Sequence, residues 1–179
     1  CGILFQRTPI RHVIVVVLPE QSTAIHLDMV WTQVDRELFA CYPPLFRGPF
    51  RAPVLHRQCD KDSITERSSL VSVLKEVGLP MEPIFLGGSK RETQEREQWA
   101  SACNFLAVSP GIVLGYAGND ESLWNMSQAG FRLVDGLSFL LGNDAVQNER
   151  AVITFAGAEL VRGGGGPRCM TFPIEREGV

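Results

Sequence analysis

A cysteine that follows four glycines is the most chemically suggestive feature of this 179-residue sequence. The stretch ELVRGGGGPRCMTFP (159–173) places Cys169 directly after Arg168. A thiolate is a strong nucleophile when positive charge or N–H donors lower its pKa, and Arg168 and Arg162 could supply that charge. Consecutive glycines indicate a backbone that adopts positive φ or lies against another segment or a ligand. The alternative is a glycine-rich turn that leads into a strand, CMTFPI, with Cys169 buried.

A second candidate site is AIHLDMVWT (24–32), in which His26 and Asp28 are two positions apart. On an extended segment this spacing places both side chains on one face, and a carboxylate beside an imidazole is a common acid–base pair. The alternative is a pair of surface residues at the entrance to a strand. His12 and His56 have no such carboxylate, and we expect them to be structural.

Composition restricts the classes of protein and of site. A chain with 45% hydrophobic and 21% charged residues is typical of a globular domain with a real core. The net charge of −3 argues against general nucleic-acid binding, and no apolar run reaches the ~20 residues of a membrane span. Five separated cysteines without a CxxC pair fit neither a disulfide framework nor a zinc site, and they favour the cytoplasm. The glycine run lacks the GK[ST] ending of a phosphate-binding loop. We therefore expect no metal and no cofactor.

The first half of the chain predicts mainly strands and one helix. HVIVVVL (12–18) predicts a central strand, and the residues around Asp35–Arg36 predict the turn of a hairpin within 29–44. A strand is predicted over 53–59 and another over 82–88. Between them, the sequence predicts a helix over 63–79 with Ser63 as its N-cap and Gly78 near its end.

The second half predicts a similar order of elements. A helix over 90–103 precedes a hairpin over 104–116 that turns at Pro110–Gly111, and a second helix spans 120–130 and ends at Gly130. FRLVDG (131–136) and AVITFAGAEL (151–160) predict strands. The order strand, strand, helix, strand occurs about twice, so we expect one compact α/β unit made of two similar modules.

Three motifs together resemble those of the arginine deiminases: HLDMVWT, REQWASACNFLAVSPGIVLGY and ELVRGGGGPRCMTFP, in this order. The resemblance covers essentially the whole chain, residues 1–179, and only the C-terminal part of those enzymes. It implies the pentein fold, an α/β propeller of ββαβ modules around a central site, with about two modules present here.

The resemblance also implies roles for individual residues. Cys169 would attack the guanidinium carbon of L-arginine, form a covalent amidino-thioether and release ammonia. His26 would protonate the ammonia and then activate the water that releases citrulline, while Asp28 would bind the guanidinium nitrogens. The backbone of the glycine run, Gly163 and Gly164 included, would contact the substrate.

Two departures from the family pattern bear on activity. Relatives use further acidic residues and an upstream arginine, N-terminal to the matched region, so we expect a fragment of a longer enzyme with half a site. Many relatives also carry an arginine where this chain has Gly164, and Arg162 is the nearest substitute. A related guanidine compound is therefore an alternative substrate.

The alternative functions are those of an amidinotransferase and of a non-catalytic truncated domain. Open strand edges predict self-association into a homo-oligomer.

Overall fold

The structure, a computed structural model, describes residues 1–157 and 159–175 as a mixed α/β fold. The strands are β1 (His12–Val16), β2 (Trp31–Gln33), β3 (Leu38–Cys41), β4 (Val54–Gln58), β5 (Ile64–Arg67), β6 (Glu82–Phe85), β7 (Leu106–Ser109), β8 (Ile112–Tyr116), β9 (Arg132–Asp135) and β10 (Ala151–Phe155). The α-helices are α1 (Gly2–Arg7), α2 (Pro43–Phe46), α3 (Leu70–Glu76), α4 (Arg91–Trp99), α5 (Asp120–Gln128) and α6 (Gly136–Leu140). Two 3₁₀ turns cover Leu27–Met29 and Leu160–Gly163. Within these residues the strands form three sheets.

A hairpin followed by a strand parallel to its second strand occurs in two of the sheets. In one, β2 pairs antiparallel with β3, and β3 pairs parallel with β6. In the other, β7 pairs antiparallel with β8, β8 pairs parallel with β10, and β9 lies outside β10. Both hairpins confirm the sequence prediction, with Gly111 at φ +80° in the second turn. The pentein propeller and its number of modules stay a prediction.

The remaining sheet corrects the prediction that HVIVVVL forms a central strand. Its order is β1-β4-β5, all antiparallel, so β4 is central and β1 is an edge strand. Val15 on β1 and the following Val17 are each 44% exposed. An apolar, β-branched run predicts a strand, but the partners that flank it depend on the tertiary fold.

The helix predicted over 63–79 is also corrected. The β-branched residues Ile64 and Thr65 lie in β5 and pair with β4. The helix α3 begins after Ser69, whose side chain accepts a hydrogen bond from the Ser72 backbone while the Ser72 hydroxyl accepts one from the Ser69 backbone. This reciprocal capping, rather than Ser63, starts the helix. Gly78, with φ +83°, follows its end as predicted.

The C-terminal part differs from the predicted strand CMTFPI. Residues 167–170 form a turn, and no strand follows within 169–175. Thr171 closes the turn by donating from its backbone N–H and its hydroxyl to the Arg168 carbonyl. The strand predicted over 151–160 ends at Phe155, and Ala158 and residues 176–179 lie outside the described residues. The short helix α6 was not predicted.

The main core lies between the β2-β3-β6 and β7-β8-β10-β9 sheets and the helix α5. Val30, Val113, Met126 and Val152 within it are completely buried.

The first turn of α5 is capped by a buried carboxylate, that of Glu97. This carboxylate accepts hydrogen bonds from the backbone N–H groups of Glu121 and Ser122. These bonds satisfy donors of the first turn that have no partner within the helix. None of the helices in the described part of the chain combines the length and the apolar character needed to cross a bilayer.

Candidate active site

The segment that carries His26 and Asp28 is fixed to the core at both ends. Ala24 and Met29 are buried, and Gln98 of α4 donates from one amide nitrogen to the carbonyls of Thr23 (2.7 Å) and Met29 (2.8 Å). Since Gln98 is itself buried, these two bonds hold the segment at a fixed distance from α4.

His26 and Asp28 do not lie on an extended segment as predicted. His26 is extended, at φ −133°, but it is followed by the 3₁₀ turn Leu27–Met29, which contains Asp28. The prediction of an extended segment is therefore wrong, and the turn removes the period of two on which the predicted shared face depended. Asp28 is half-buried and His26 is exposed. Among the described residues, the His26 ring makes no hydrogen bond or ion pair.

The glycine run approaches the core only in its second half. Gly165, Gly166 and Pro167 are buried, and Gly165 adopts φ +88°. A side chain at Gly165 would place its Cβ 2.8 Å from the Cys169 Cβ and 3.1 Å from its sulfur. A side chain at Gly166 would place its Cβ 2.7 Å from the Asn104 carbonyl oxygen. Glycine is therefore required where the loop packs against Cys169 and Asn104.

Cys169 and Asp28, 141 positions apart in sequence, meet at this loop. The Cys169 thiol donates to the Asp28 carboxylate, with 3.6 Å between Sγ and Oδ2. Arg168 forms an ion pair with the same oxygen, 3.7 Å from its Nε. The Cys169 backbone N–H donates to the side-chain oxygen of Asn104 at 3.2 Å, and the Asn104 amide nitrogen donates to the Asp28 carboxylate at 3.1 Å. A thiol and a carboxylate that could bind a cation therefore share one surface.

The electrostatics of the thiol differ from the expectation of a lowered pKa. Partial burial raises the pKa of Cys169, and the negative charge of Asp28 raises it further, while the Gly166 N–H and the Asn104 side chain act in the opposite direction. The two arginines do not compensate, because Arg168 pairs with Asp28 and Arg162 pairs with Glu159 at 3.3 Å. The residue as a whole is exposed, but its sulfur faces the Asp28 carboxylate.

Gly163 and Gly164 lie at the surface, apart from the contacts of Cys169. A side chain at either position would meet no atom within 4 Å, and Gly164 adopts φ +76°. Their backbone is accessible to a ligand, and their role as substrate contacts stays a prediction. Cys169 is exposed, so it is not the buried cysteine of the alternative interpretation.

Two other cysteines and the other two histidines lie outside this site. Cys41 and Cys103 are buried, and burial raises the pKa of each thiol. His12 and His56 form a pair in the β1-β4-β5 sheet, with 3.0 Å between Nδ1 of His12 and Nε2 of His56. Within residues 1–157 and 159–175, no three His, Cys, Asp or Glu side chains are grouped so that they could hold a metal ion.

The side chains that assemble the site come from a motif to which the sequence reasoning assigned no site residue. Gln98 and Asn104 both lie in REQWASACNFLAVSPGIVLGY, as does Tyr116, whose hydroxyl donates to the Gly165 carbonyl at 3.4 Å. The sequence signal for Asn104 is its position between a predicted helix and an apolar predicted strand, where a polar side chain is expected to be buried and hydrogen-bonded. Its partners could not be read from spacing because they lie 62 to 76 positions away.

Comparison with known proteins identifies the family. The sequence model of the arginine deiminase family matches residues 2–176. The chain is 33% identical over 184 residues to an arginine deiminase of Bacillus cytotoxicus and 33% identical over 184 residues to one of Bacillus thuringiensis subsp. konkukian. Each match covers 98% of this chain and 40% of the relative, so the chain spans about two fifths of the length of these curated relatives. By the extent of the family match, the chain belongs to the arginine deiminase family.

Proposed function

We propose that this chain carries the nucleophile-bearing part of a guanidine hydrolase that converts L-arginine to L-citrulline and ammonia. The observation that carries the proposal is the contact of 3.6 Å between the Cys169 sulfur and the Asp28 carboxylate. Hydrolysis of a guanidinium needs a soft nucleophile at its carbon and a carboxylate that fixes its nitrogens, and these two groups stand side by side here.

In the first half of the reaction, the guanidinium N–H groups would donate to the Asp28 carboxylate through charge-assisted hydrogen bonds. The Cys169 thiolate would form a bond to the guanidinium carbon. The bond from that carbon to one terminal nitrogen would then break, and His26 would supply the proton with which this nitrogen leaves as ammonia. The product of this half is an amidino-thioether on Cys169.

In the second half, His26 would take a proton from a water molecule, whose oxygen attacks the same carbon. The bond from carbon to sulfur would break, releasing citrulline and the Cys169 thiolate. His26 is exposed and has no hydrogen bond or ion pair among the described residues, so its ring is accessible for both proton transfers. General acid–base catalysis of this kind typically contributes about 10²–10⁴-fold to the rate.

The raised pKa of the free thiol is compatible with this chemistry when the substrate is a cation. In the free chain, the Asp28 charge opposes formation of the Cys169 thiolate. A guanidinium bound against Asp28 would offset that negative charge and bring positive charge toward the sulfur. Substrate binding would therefore favour the reactive form, and neutral analogues of arginine would lack this effect.

The accessible part of the glycine run would contact the part of the substrate beyond the guanidinium group. Gly163 and Gly164 present backbone groups at the surface, and the neighbouring Arg162 is exposed and, among the described residues, pairs with the exposed Glu159 alone. An exposed ion pair is weak, so Arg162 could exchange Glu159 for a substrate carboxylate at little cost. A related guanidine substrate that lacks the carboxylate is the alternative.

The test is a product assay on the purified chain with matched variants. The chain is incubated with L-arginine, and citrulline and ammonia are measured together with the mass of the acid-quenched protein. We expect equal amounts of both products, and a mass increase at the Cys169 peptide that corresponds to arginine less one ammonia. Cys169→Ala should abolish all three signals, while Cys59→Ala, at a half-buried cysteine outside the site, should leave them intact.

The same assay separates the alternatives. Transfer of the amidino group to an added amine, without citrulline, would indicate an amidinotransferase. A folded sample that yields neither products nor an adduct would contradict the proposed activity of this chain and favour a non-catalytic domain. Citrulline that persists in Cys169→Ala would remove Cys169 from the mechanism.

The open edges of a sheet bear on assembly. The strands β7 and β9 are the edges of their sheet, and unpaired edges can pair with another copy. We propose a homo-oligomer, which size-exclusion chromatography tests: a single monomer peak would contradict it. Nucleic acid and membranes are not among the proposed partners, and the cytoplasm is the proposed location.

A further inference from the structure

The side chain of Asn104 uses its complete hydrogen-bonding capacity at the site. Its amide nitrogen donates to the Asp28 carbonyl at 3.0 Å and to the Asp28 carboxylate at 3.1 Å. Its oxygen accepts from the backbone N–H groups of Gly166 at 2.8 Å and Cys169 at 3.2 Å. An asparagine amide has two donors and two acceptor lone pairs, so all four are used.

The orientation of this amide follows from its surroundings. Both groups on the nitrogen side are oxygens and both groups on the oxygen side are N–H donors, so the reversed orientation would break all four bonds. Asn104 is also completely buried. A buried amide in such a position cannot exchange these partners for water, and each lost bond would leave a buried polar group unpaired.

We propose that Asn104 is the positioning residue of this site: it couples the Asp28 carboxylate to the Cys169 loop and thereby sets the distance between carboxylate and sulfur. The proposal rests on the proposed function in treating Asp28 and Cys169 as the reacting pair. Asn104 itself contacts neither a leaving group nor the guanidinium carbon in this role. It acts through the backbone of Cys169 and through the orientation of Asp28.

The contacts around Asn104 explain why one residue suffices for this coupling. Gln98 holds the segment that carries Asp28 against α4, but Cys169 follows a glycine run, so the Asp28 segment by itself does not fix the position of the Cys169 loop. Asn104 lies between α4 and β7, and its own backbone N–H donates to the Ser101 carbonyl at 3.0 Å. It is therefore anchored to the core and can serve as a fixed point for both segments.

The experiment measures thiol reactivity, which requires no turnover of arginine. The rate of alkylation of Cys169 by iodoacetamide is followed against pH by mass spectrometry of the Cys169 peptide. The comparison covers the wild-type chain, Asp28→Asn, Asn104→Ala and the double variant. Since Asp28 raises the pKa of Cys169, Asp28→Asn should move the midpoint of the alkylation profile to lower pH. In the Asn104→Ala background, we expect that shift to fall to half or less, because the carboxylate is no longer held against the sulfur.

Asn119→Ala is the matched control. Asn119 is also buried and precedes a helix, but its amide donates to the Ala100 carbonyl and contacts neither Asp28 nor Cys169. It should lower stability and leave the Asp28-dependent shift unchanged. If Asn104→Ala does not fold, Asn104→Ser keeps a polar group at this position that is too short to bond to both segments. The Asp28-dependent shift should then again fall to half or less.

The proposal is overturned if the effects of Asp28→Asn and Asn104→Ala are additive, or if Asn104→Ser, used where Asn104→Ala does not fold, retains the full Asp28-dependent shift. A chain that forms no citrulline but shows the loss of coupling would contradict the proposed function and leave the positioning role intact. Citrulline formation without the loss of coupling would do the reverse.

Discussion

Alanine in place of individual glycines of the run 163–166 should have sharply different effects. Gly165 adopts φ +88°, and a Cβ there would lie 2.8 Å from the Cβ of Cys169. Gly164 adopts φ +76° in open space, and Gly163 has neither a positive φ nor a neighbour within 4 Å. The three positions therefore separate the cost of backbone conformation from the cost of a steric clash.

The magnitudes follow from these geometries. A left-handed backbone at an alanine costs about 1–2 kcal/mol, which applies to both Gly164→Ala and Gly165→Ala. Carbon atoms pack at about 3.5–4.0 Å, so Gly165→Ala also requires the Cys169 side chain to move by roughly 0.7 Å or more. For a chain of this size, 1 kcal/mol corresponds to about 2–4 °C in Tm. We expect Gly164→Ala to lower Tm by about 2–8 °C and Gly165→Ala to lower it further.

Thermal unfolding and Cys169 alkylation measure the two effects separately. Gly163→Ala should keep the free energy of unfolding within about 0.5 kcal/mol of the wild type. Gly164→Ala should change stability and leave the reactivity of Cys169 unchanged. Gly165→Ala should change both, because its added methyl group displaces the thiol.

Equal Tm values for Gly163→Ala and Gly165→Ala would contradict the prediction that positive φ and the clash with Cys169 lower stability, because the two sites differ in both backbone conformation and contacts. A changed Cys169 reactivity in Gly163→Ala would refute it as well. That result would mean that the whole run, rather than its buried half, determines the position of the thiol.

Two further predictions concern stability. Glu97→Ala leaves the N–H groups of Glu121 and Ser122 without their acceptor and should lower the free energy of unfolding by about 2–4 kcal/mol in urea, whereas the exposed Glu92→Ala should change it little. The pKa of His56 is lowered from 6.5 by burial, by Arg67 and by His12. Below about pH 6.5, His56 therefore binds a proton more readily in the unfolded chain than in the folded chain. Stability should therefore fall as pH decreases from about 6.5 toward the folded pKa, and His56→Gln should make that fall smaller; an unchanged pH dependence would exclude His56 as its source.

Local sequence signals predicted the elements whose determinants are close together in the chain. The turn residues at Asp35–Arg36 and Pro110–Gly111 identified both hairpins, and the acidic first turn and Gly130 identified α5. The helix prediction failed at its start. It took Ser63 as the N-cap and therefore included the β-branched residues of β5, whereas the capping residue is Ser69.

The candidate site was predicted in its residues but only partly in its geometry. Motif resemblance identified Cys169, His26 and Asp28 together, and the structure brings Cys169 and Asp28 into contact. The extended geometry predicted for His26 and Asp28 was wrong, because a 3₁₀ turn rather than a strand contains Asp28. The thiol pKa is raised rather than lowered, because the thiol is partly buried and lies against the Asp28 carboxylate, with which Arg168 pairs.

Motifs and local patterns in the sequence were sufficient to indicate the family, the candidate residues Cys169, His26 and Asp28, and the elements with turn and capping signals. Three features became visible only in the fold: β1 is an edge strand, the second half of the glycine run is its buried part, and Asn104 links Asp28 to Cys169. The difference lies in the range of the determinants. Turns and caps depend on residues a few positions apart, whereas sheet order, burial and the partners of a buried amide depend on segments that meet only when the chain folds.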